Sequence, residues 1–145
     1  GPVLVSQDPS CGAEVWRGQA ASAAQVEQAV ASARAAQPAW EALGAEGRLA
    51  VLRRARDIFD QEKQQLSELI SRETGKLLWD STTEAAAVIG KLGFTESAYQ
   101  ARTGTQQSFN EKLQQNSVLR HRPHGVMAVY GPYNFPAHLP NGHIM

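Results

Sequence analysis

The spacing of apolar residues in the first part of the chain predicts a helix that begins after Ser22. Ser22 and Gln25 form the Ser-x-x-Gln pattern of a helix-capping box. Apolar residues then recur at helical spacing, at Val26, Ala29, Val30 and Ala33. We expect this helix to run from about residue 23 to residue 37. Pro38 should end it, because a proline disfavours helical backbone in the residue before it.

The longest helical pattern covers residues 46–73. Its apolar stripe consists of Leu49, Leu52, Ala55, Ile58, Phe59, Leu66, Leu69 and Ile70. The stripe loses register between residues 60 and 65, which leaves open one long helix or two helices that break near Gln61. Gly75 is a natural C-terminal stop for this segment.

A third amphipathic helix is predicted from about Ser81 to Arg102, closed by Gly104. One face of it carries Ala85, Val88, Ile89, Leu92, Thr95 and Tyr99. Together with the two preceding patterns, this gives three amphipathic helical segments, each with an apolar face to cover.

Short runs of strand-forming residues predict two antiparallel pairs. Residues 3–5 and 15–16 are extended candidates on either side of a turn at residues 8–12. Residues 105–109 and 117–122 are candidates for a β-hairpin with a polar connector. A two-stranded ribbon is marginally stable alone in water, so the hairpin should need a surface to lie against.

The last strand candidate is Val126–Tyr130, an uncharged run rich in β-branched residues. Such a run favours a strand buried on both faces of a parallel sheet. Gly131 and Pro132 then turn the chain, and Pro136 is suited to the first position of a helix. Asn134 would lie just past the carboxyl end of this strand, where open α/β sheets bind ligands.

Two interpretations of Asn134 follow from the residues. Its amide can donate a hydrogen bond to a substrate oxygen. Alternatively it is a turn residue whose side chain bonds its own backbone.

Composition excludes several function classes. Lys plus Arg and Asp plus Glu both number 14, so no net charge attracts nucleic acid or an anionic membrane. No apolar run approaches the ~20 residues that span a bilayer. Cys11 is the single cysteine and cannot form an internal disulfide. With no signal-peptide pattern, we expect a cytoplasmic location.

The sequence Gly-Pro-Tyr-Asn-Phe-Pro at residues 131–136 resembles the aldehyde dehydrogenase family. Three upstream stretches agree in order: Asp8-Pro9, Pro38-Ala39-Trp40 and Glu73-Thr74-Gly75-Lys76. Residues 131–144 are most similar to the branch that oxidises N-succinylglutamate 5-semialdehyde in arginine breakdown. Members of this family have much longer chains, so the resemblance implies an N-terminal fragment.

The resemblance implies an α/β fold with three parts. Residues 1–103 would be the N-terminal helical part of the NAD-binding domain, and residues 104–122 the oligomerisation hairpin of a homo-oligomer. Residues 123–145 would hold the first strand of a Rossmann-type sheet and the truncated helix after it. The alternative for the hairpin is a surface arm with no partner.

The resemblance also implies roles for individual residues. Asn134 would stabilise the oxyanion of the reacting aldehyde, while Tyr130, Pro132 and Tyr133 would lie along NAD. Tyr133 stands where tryptophan is commoner in the family. Phe135, His138 and Leu139 would line the aldehyde tunnel, although Phe135 and Leu139 could be ordinary core residues and His138 a polar helix residue.

Several catalytic parts of the family are not found in these residues. Cys11 lies in a turn and does not match the family's nucleophile motif, and the segment with the general-base Glu is absent. His138 and His143 are five residues apart, which argues against a paired metal site. Glu73 and Lys76 should act structurally, as a charged pair at a helix end.

We therefore expect the chain alone to be catalytically inactive. The alternative function is a non-enzymatic helical module that assembles with copies of itself through its apolar faces.

Overall fold

Helices dominate the structure, a computed structural model that describes residues 1–145. The only sheets are two separate two-stranded ribbons. In chain order the elements are β1 (Val3–Gln7), β2 (Glu14–Gln19), α1 (Ala23–Ala42), α2 (Gly44–Gln61), α3 (Lys63–Thr74), α4 (Leu78–Arg102), β3 (Gln106–Asn110), β4 (Gln115–Leu119) and α5 (His138–Ile144).

Both predicted strand pairs are present as antiparallel ribbons. In the first ribbon, β1 pairs with β2, and Val3 lies opposite Gln19. Both strands are longer than the sequence predicted. In the second, β3 pairs with β4 from Gln106 opposite Leu119, and every residue of the two strands is exposed. The hairpin is therefore confirmed as a local structure, and its role in oligomerisation stays a prediction.

The start of α1 is as predicted, but its end is not. The Ser22 hydroxyl accepts a hydrogen bond from the Gln25 amide at 3.3 Å, and the Gln25 side chain accepts one from the Ser22 amide at 2.8 Å. The prediction that Pro38 ends the helix is wrong, since α1 continues to Ala42 with Pro38 inside it. Proline lacks one N–H donor, and the helix continues past that single missing bond. A Gln37–Glu41 side-chain bond of 2.9 Å spans the site.

The helical pattern of residues 46–73 forms two helices rather than one. The break falls at Glu62, whose φ and ψ of −97° and 14° lie outside the helical region. The second helix ends at Gly75, which has a φ of 74° and donates its N–H to the Ser71 carbonyl at 2.9 Å. Glycine adopts this left-handed conformation without the steric cost of a Cβ, so the predicted stop is confirmed.

The long helix α4 is the centre of the molecule, because α2, α3 and α5 all pack against it. Only eight of the 145 residues are buried, so the core is small. Its apolar members are Ile70, Ala85, Val88 and Leu92, three of which lie on the predicted face of α4. The buried polar residues are Ser67, Ser81, Glu84 and Asn141.

The prediction of a buried strand at residues 126–130 is wrong for this structure. These residues pair with no other strand, and Val126, Met127 and Tyr130 are 37%, 58% and 89% exposed. A strand is stabilised by a ladder of hydrogen bonds, and each ribbon here pairs only within itself. The first strand of a Rossmann-type sheet therefore has no sheet around it.

Helix α5 begins later than predicted. His138 is its first residue and Ala137 its N-cap, so Pro136 precedes the helix instead of starting it. None of the helices combines the length and the apolar character needed to cross a membrane.

Candidate functional site

Asn134 lies in the turn that leads from the irregular segment into α5. Its side chain is exposed and makes no hydrogen bond within the chain, so it does not bond its own backbone. Gly131 lies against Pro140, since a Cβ at position 131 would come within 2.9 Å of the proline ring. The turn is thus folded back against α5, with the Asn134 amide directed to solvent.

The start of α5 is held by a carboxylate from α4. Glu84 Oε1 accepts hydrogen bonds from the backbone amides of Ala137 at 3.0 Å and His138 at 3.1 Å. An acidic side chain in this position satisfies N–H groups that have no partner within the helix. This contact satisfies the first amides of α5 and attaches the start of the helix to α4.

The second oxygen of the same carboxylate binds a cation. Lys76 donates from Nζ to Glu84 Oε2 at 2.7 Å. The side chains of Glu84 and Lys76 are only 1% and 15% exposed, so solvent screens the pair weakly. The expected pairing of Lys76 with Glu73 is wrong, because Lys76 follows the helix end and turns toward α4 instead.

Lys76 also contacts the segment that carries Asn134. Its Nζ lies 3.8 Å from the centre of the Phe135 ring, a cation–π distance. The Phe135 ring in turn meets the His138 imidazole edge-on, with centroids 6.4 Å apart and planes at 73°. A continuous set of contacts therefore runs from Glu84 and Lys76 to the residues on either side of the turn.

The pKa of Glu84 reflects this environment. Burial by itself raises the pKa, since it disfavours the charged form. The hydrogen bond from Lys76, those from the His138 and Ala137 amides, and the positive charge of Lys76 outweigh burial and lower it below its ordinary value. The carboxylate is consequently ionised at neutral pH, as its role as a triple acceptor requires.

A second polar contact fixes α5 on α4. The Asn141 side chain is buried and donates from Nδ2 to the Val88 carbonyl at 3.1 Å. Gly142, the next residue, lies against the Lys91 side chain, because a Cβ there would come within 3.3 Å of Lys91 Cε. The last helix is thereby attached to α4 both at its start and in its middle.

The structure brings together only some of the predicted site residues. Phe135 and His138 are in contact, and His138 is half-buried with an Nδ1 atom that has no hydrogen-bond partner. Tyr130 and Tyr133 are 89% and 91% exposed, and Leu139 is 42% exposed. These residues do not enclose a tunnel by themselves, so the tunnel stays a prediction.

Sequence reasoning missed Glu84 and Asn141. A signal for Glu84 was available: it precedes Val88 by four residues and Leu92 by eight, so a lone carboxylate lies in the apolar stripe of α4. Buried acidic residues are rare unless they are paired. The partner of Glu84 could not be identified from the sequence, because several lysine and arginine residues could have paired with it.

The remaining candidates do not gather into a site. No group of three His, Cys, Asp or Glu residues is arranged to hold a metal ion. Cys11 is exposed in the turn between β1 and β2. His121, His124 and His143 are exposed.

Comparison with known proteins places this arrangement in a family. The model of the aldehyde dehydrogenase family matches residues 3–145. This chain belongs to the aldehyde dehydrogenase family. The resemblance seen in residues 131–136 and in the upstream stretches is thus confirmed.

Among curated members of the family, two N-succinylglutamate 5-semialdehyde dehydrogenases are similar over all 145 residues. The protein of Burkholderia ambifaria is 49% identical, and that of Paraburkholderia xenovorans is 50% identical. In both cases the chain spans 29% of the relative's length.

Two solved structures share the fold of this chain. An NADP-dependent glyceraldehyde-3-phosphate dehydrogenase from Bacillus halodurans, complexed with NADP, superposes with a TM-score of 0.87 over 97% of this chain and 30% of its own. At 21% identity this likeness concerns the fold alone. PnpE in complex with nicotinamide adenine dinucleotide superposes with a TM-score of 0.68 at 28% identity, over 77% of this chain and 23% of its own.

Proposed function

We propose that this chain forms part of an NAD-dependent dehydrogenase that oxidises N-succinylglutamate 5-semialdehyde to N-succinylglutamate. The substrate class is supported by the names of the relatives that are 49% and 50% identical to it. The observation that carries the proposal is the exposed Asn134 amide, which has no hydrogen-bond partner within the chain and stands on a segment fixed by Glu84.

Asn134 supplies electrostatic stabilisation in this reaction. When a nucleophile adds to an aldehyde carbonyl, the carbonyl oxygen becomes an oxyanion. The side-chain N–H of Asn134 donates a hydrogen bond to that oxygen, and the bond strengthens as negative charge develops there. Cys11, the only thiol in these residues, lies in an exposed turn and is not assigned the role of the nucleophile.

Residues 130–133 fit a role along the cofactor. Tyr130 and Tyr133 are almost fully exposed, and residues 121–136 make no backbone–backbone hydrogen bonds, so their main-chain groups are free to bind a ligand. Tyr130, Pro132 and Tyr133 would hold the dinucleotide. When bound there, the dinucleotide would supply the acceptor for the hydride that leaves the substrate carbon.

The aldehyde side of the site is formed by Phe135, His138 and Leu139. Phe135 and His138 present adjoining ring surfaces, and Leu139 adds an exposed apolar side chain one residue further on. In the complete protein these residues line the passage to Asn134. The exposed β3–β4 ribbon contacts another copy of the chain in a homo-oligomer. The location of this enzyme is the cytoplasm.

An activity assay tests this proposal. The complete polypeptide encoded by the gene and the 145-residue chain are each incubated with succinylglutamate semialdehyde and NAD. NADH formation is expected from the complete polypeptide and not from the 145-residue chain. Absence of NAD-dependent oxidation by the complete polypeptide would refute the proposed function.

A variant of the complete polypeptide tests the role of Asn134. Asn134→Ala is expected to lower kcat by about 10²–10³-fold. Its thermal stability should be unchanged, since the amide makes no internal hydrogen bond. Gln28→Ala is the control, because Gln28 is also an exposed side-chain amide without a hydrogen bond and lies in α1. Equal kcat values for the two variants would remove Asn134 from the mechanism.

A second candidate function is self-assembly without catalysis. It is favoured by the small number of buried residues and by large exposed apolar side chains such as Leu77, Trp79 and Phe94, which are 66%, 70% and 74% exposed. Analytical ultracentrifugation with an NAD-binding measurement distinguishes the two candidates. A defined oligomer that binds no NAD would support the module, and a monomer would exclude it.

A further inference from the structure

We infer that Glu84 is a positioning residue for the Asn134 amide. Its carboxylate, paired with Lys76, fixes the segment from Phe135 to His138 to α4 and thereby sets where Asn134 points. This inference rests on the proposed function for the reaction in which Asn134 acts. The restraint itself is a property of the chain and can be measured separately.

Few other contacts restrain the segment that carries Asn134. Residues 121–136 make no backbone–backbone hydrogen bonds, and their side chains also make no hydrogen bonds within the chain. The polar contacts nearest to Asn134 are those of Lys76 with the Phe135 ring and of Glu84 with the Ala137 and His138 amides. Apart from the packing of Gly131 against Pro140, position 134 is therefore held by two residues that belong to a different part of the chain.

The Glu84 carboxylate is suited to holding this segment in place. A buried carboxylate is costly unless donors surround it, and Glu84 accepts from three of them. Hydrogen bonds to an ionised acceptor are stronger than those between neutral groups. Since Glu84 stands in the apolar face of α4 beside Ala85 and Val88, it ties the turn to the central helix of the molecule.

The position of the Asn134 amide matters because catalysis is sensitive to geometry. A misplacement of a reacting group by about 1 Å can lower a rate by about 10²-fold. An exposed turn without internal hydrogen bonds cannot hold an amide to that tolerance by itself. The Lys76–Glu84 pair supplies the missing constraint through the Phe135 ring and the first amides of α5.

Kinetics of the complete enzyme test the inference through Glu84→Gln. The glutamine amide must turn its NH₂ group toward either Lys76 or the α5 amides, so a donor faces a donor. We expect kcat to fall by about 10- to 100-fold while KM for NAD stays within about twofold. Glu96→Gln is the matched control: it breaks another ion pair on α4, with Arg53 at 2.9 Å, and should leave kcat unchanged.

A double variant separates positioning from general stability. If Glu84 acts through Asn134, Glu84→Gln should cause no further loss of kcat once Asn134 is alanine. Losses that multiply in the double variant, or an unchanged kcat in Glu84→Gln, would overturn the inference. Should Glu84→Gln fail to fold, Lys76→Gln provides the same test, because it removes the cation from both Glu84 and the Phe135 ring.

Hydrogen exchange in the 145-residue chain gives a readout that is independent of activity. The Ala137 and His138 amides should exchange at least about tenfold faster in Glu84→Ala than in the wild type, since that substitution removes their acceptor. Unchanged exchange would overturn the inference even in an active enzyme. A complete wild-type protein without dehydrogenase activity, but with the faster exchange in the variant, would refute the proposed function and leave the restraint intact.

Discussion

Lys76 and Glu84 are joined by a 2.7 Å ion pair that is almost completely buried. Lys76 follows the end of α3 and Glu84 lies in α4, so the pair connects two helices. The same carboxylate also receives the first amides of α5. Three helical elements thus converge on one ionised group.

Acid should weaken this junction. Because the pKa of Glu84 is lowered on folding, its contribution to stability is fully present above its ordinary value of 4.5 and is lost as the pH falls through the folded-state value. The difference in Tm between the wild type and Glu84→Gln, measured across pH, should be constant near neutrality and shrink below about pH 4.5. A difference that grows in acid would contradict the assigned direction of the shift.

Removal of the Lys76 cation should lower the free energy of unfolding more than removal of a more exposed cation does. Lys76→Met leaves a buried carboxylate without its countercharge, which typically lowers the free energy of unfolding by about 3–5 kcal/mol. The two amide donors from α5 remain, so we expect the lower end of that range. Arg53→Met, which breaks a partly exposed pair with Glu96, should cause a much smaller change. Urea denaturation of both variants checks the order, and equal losses would argue against a special role for the buried pair.

Two glycines should respond to alanine in opposite directions. At Gly75 the φ of 74° and a distance of 2.8 Å from the new Cβ to Pro9 Cγ both oppose a side chain. Gly75→Ala should therefore lower the free energy of unfolding by about 1–3 kcal/mol. Gly93 lies inside α4, and apart from the backbone of that helix no atom lies within 4 Å of the place a Cβ would take. Gly93→Ala should raise the free energy of unfolding by about 0.5–1 kcal/mol. Thermal unfolding with the same sign of change at both positions would refute this prediction.

The proline inside α1 should reduce the stability of that helix. Pro38→Ala restores a backbone donor to the Arg34 carbonyl and removes a steric conflict, against a smaller entropic loss in the unfolded chain. We expect a gain of about 2 kcal/mol and a small rise in helical circular dichroism. Pro123→Ala, in the irregular segment before α5, is the control and should leave helicity unchanged. Lower helicity in Pro38→Ala would show that the proline serves the packing of α1.

Local sequence determined most of the secondary structure. Three signals were read correctly: the capping box at Ser22, the loss of register near Gln61 and the glycine at position 75. Each of them depends only on residues a few positions apart in the chain, so a linear pattern reveals it. The motif around Asn134 likewise identified the family, because its proline and glycine positions form a recognisable string. The extension of α1 through Pro38 was missed, since propensity is a weak guide when a helix can continue past one lost bond.

Tertiary structure alone decided how the candidate site is held. A carboxylate in an apolar stripe indicates burial, but only the packing of α3, α4 and α5 shows that its partners are Lys76, Ala137 and His138. Residues 126–130 have the composition of a buried strand, yet composition cannot provide the neighbouring strands whose hydrogen bonds would complete it. The sequence by itself therefore determined which local structures form, while contacts between distant residues decided which of them are tied together, because those contacts depend on geometry that no short stretch contains.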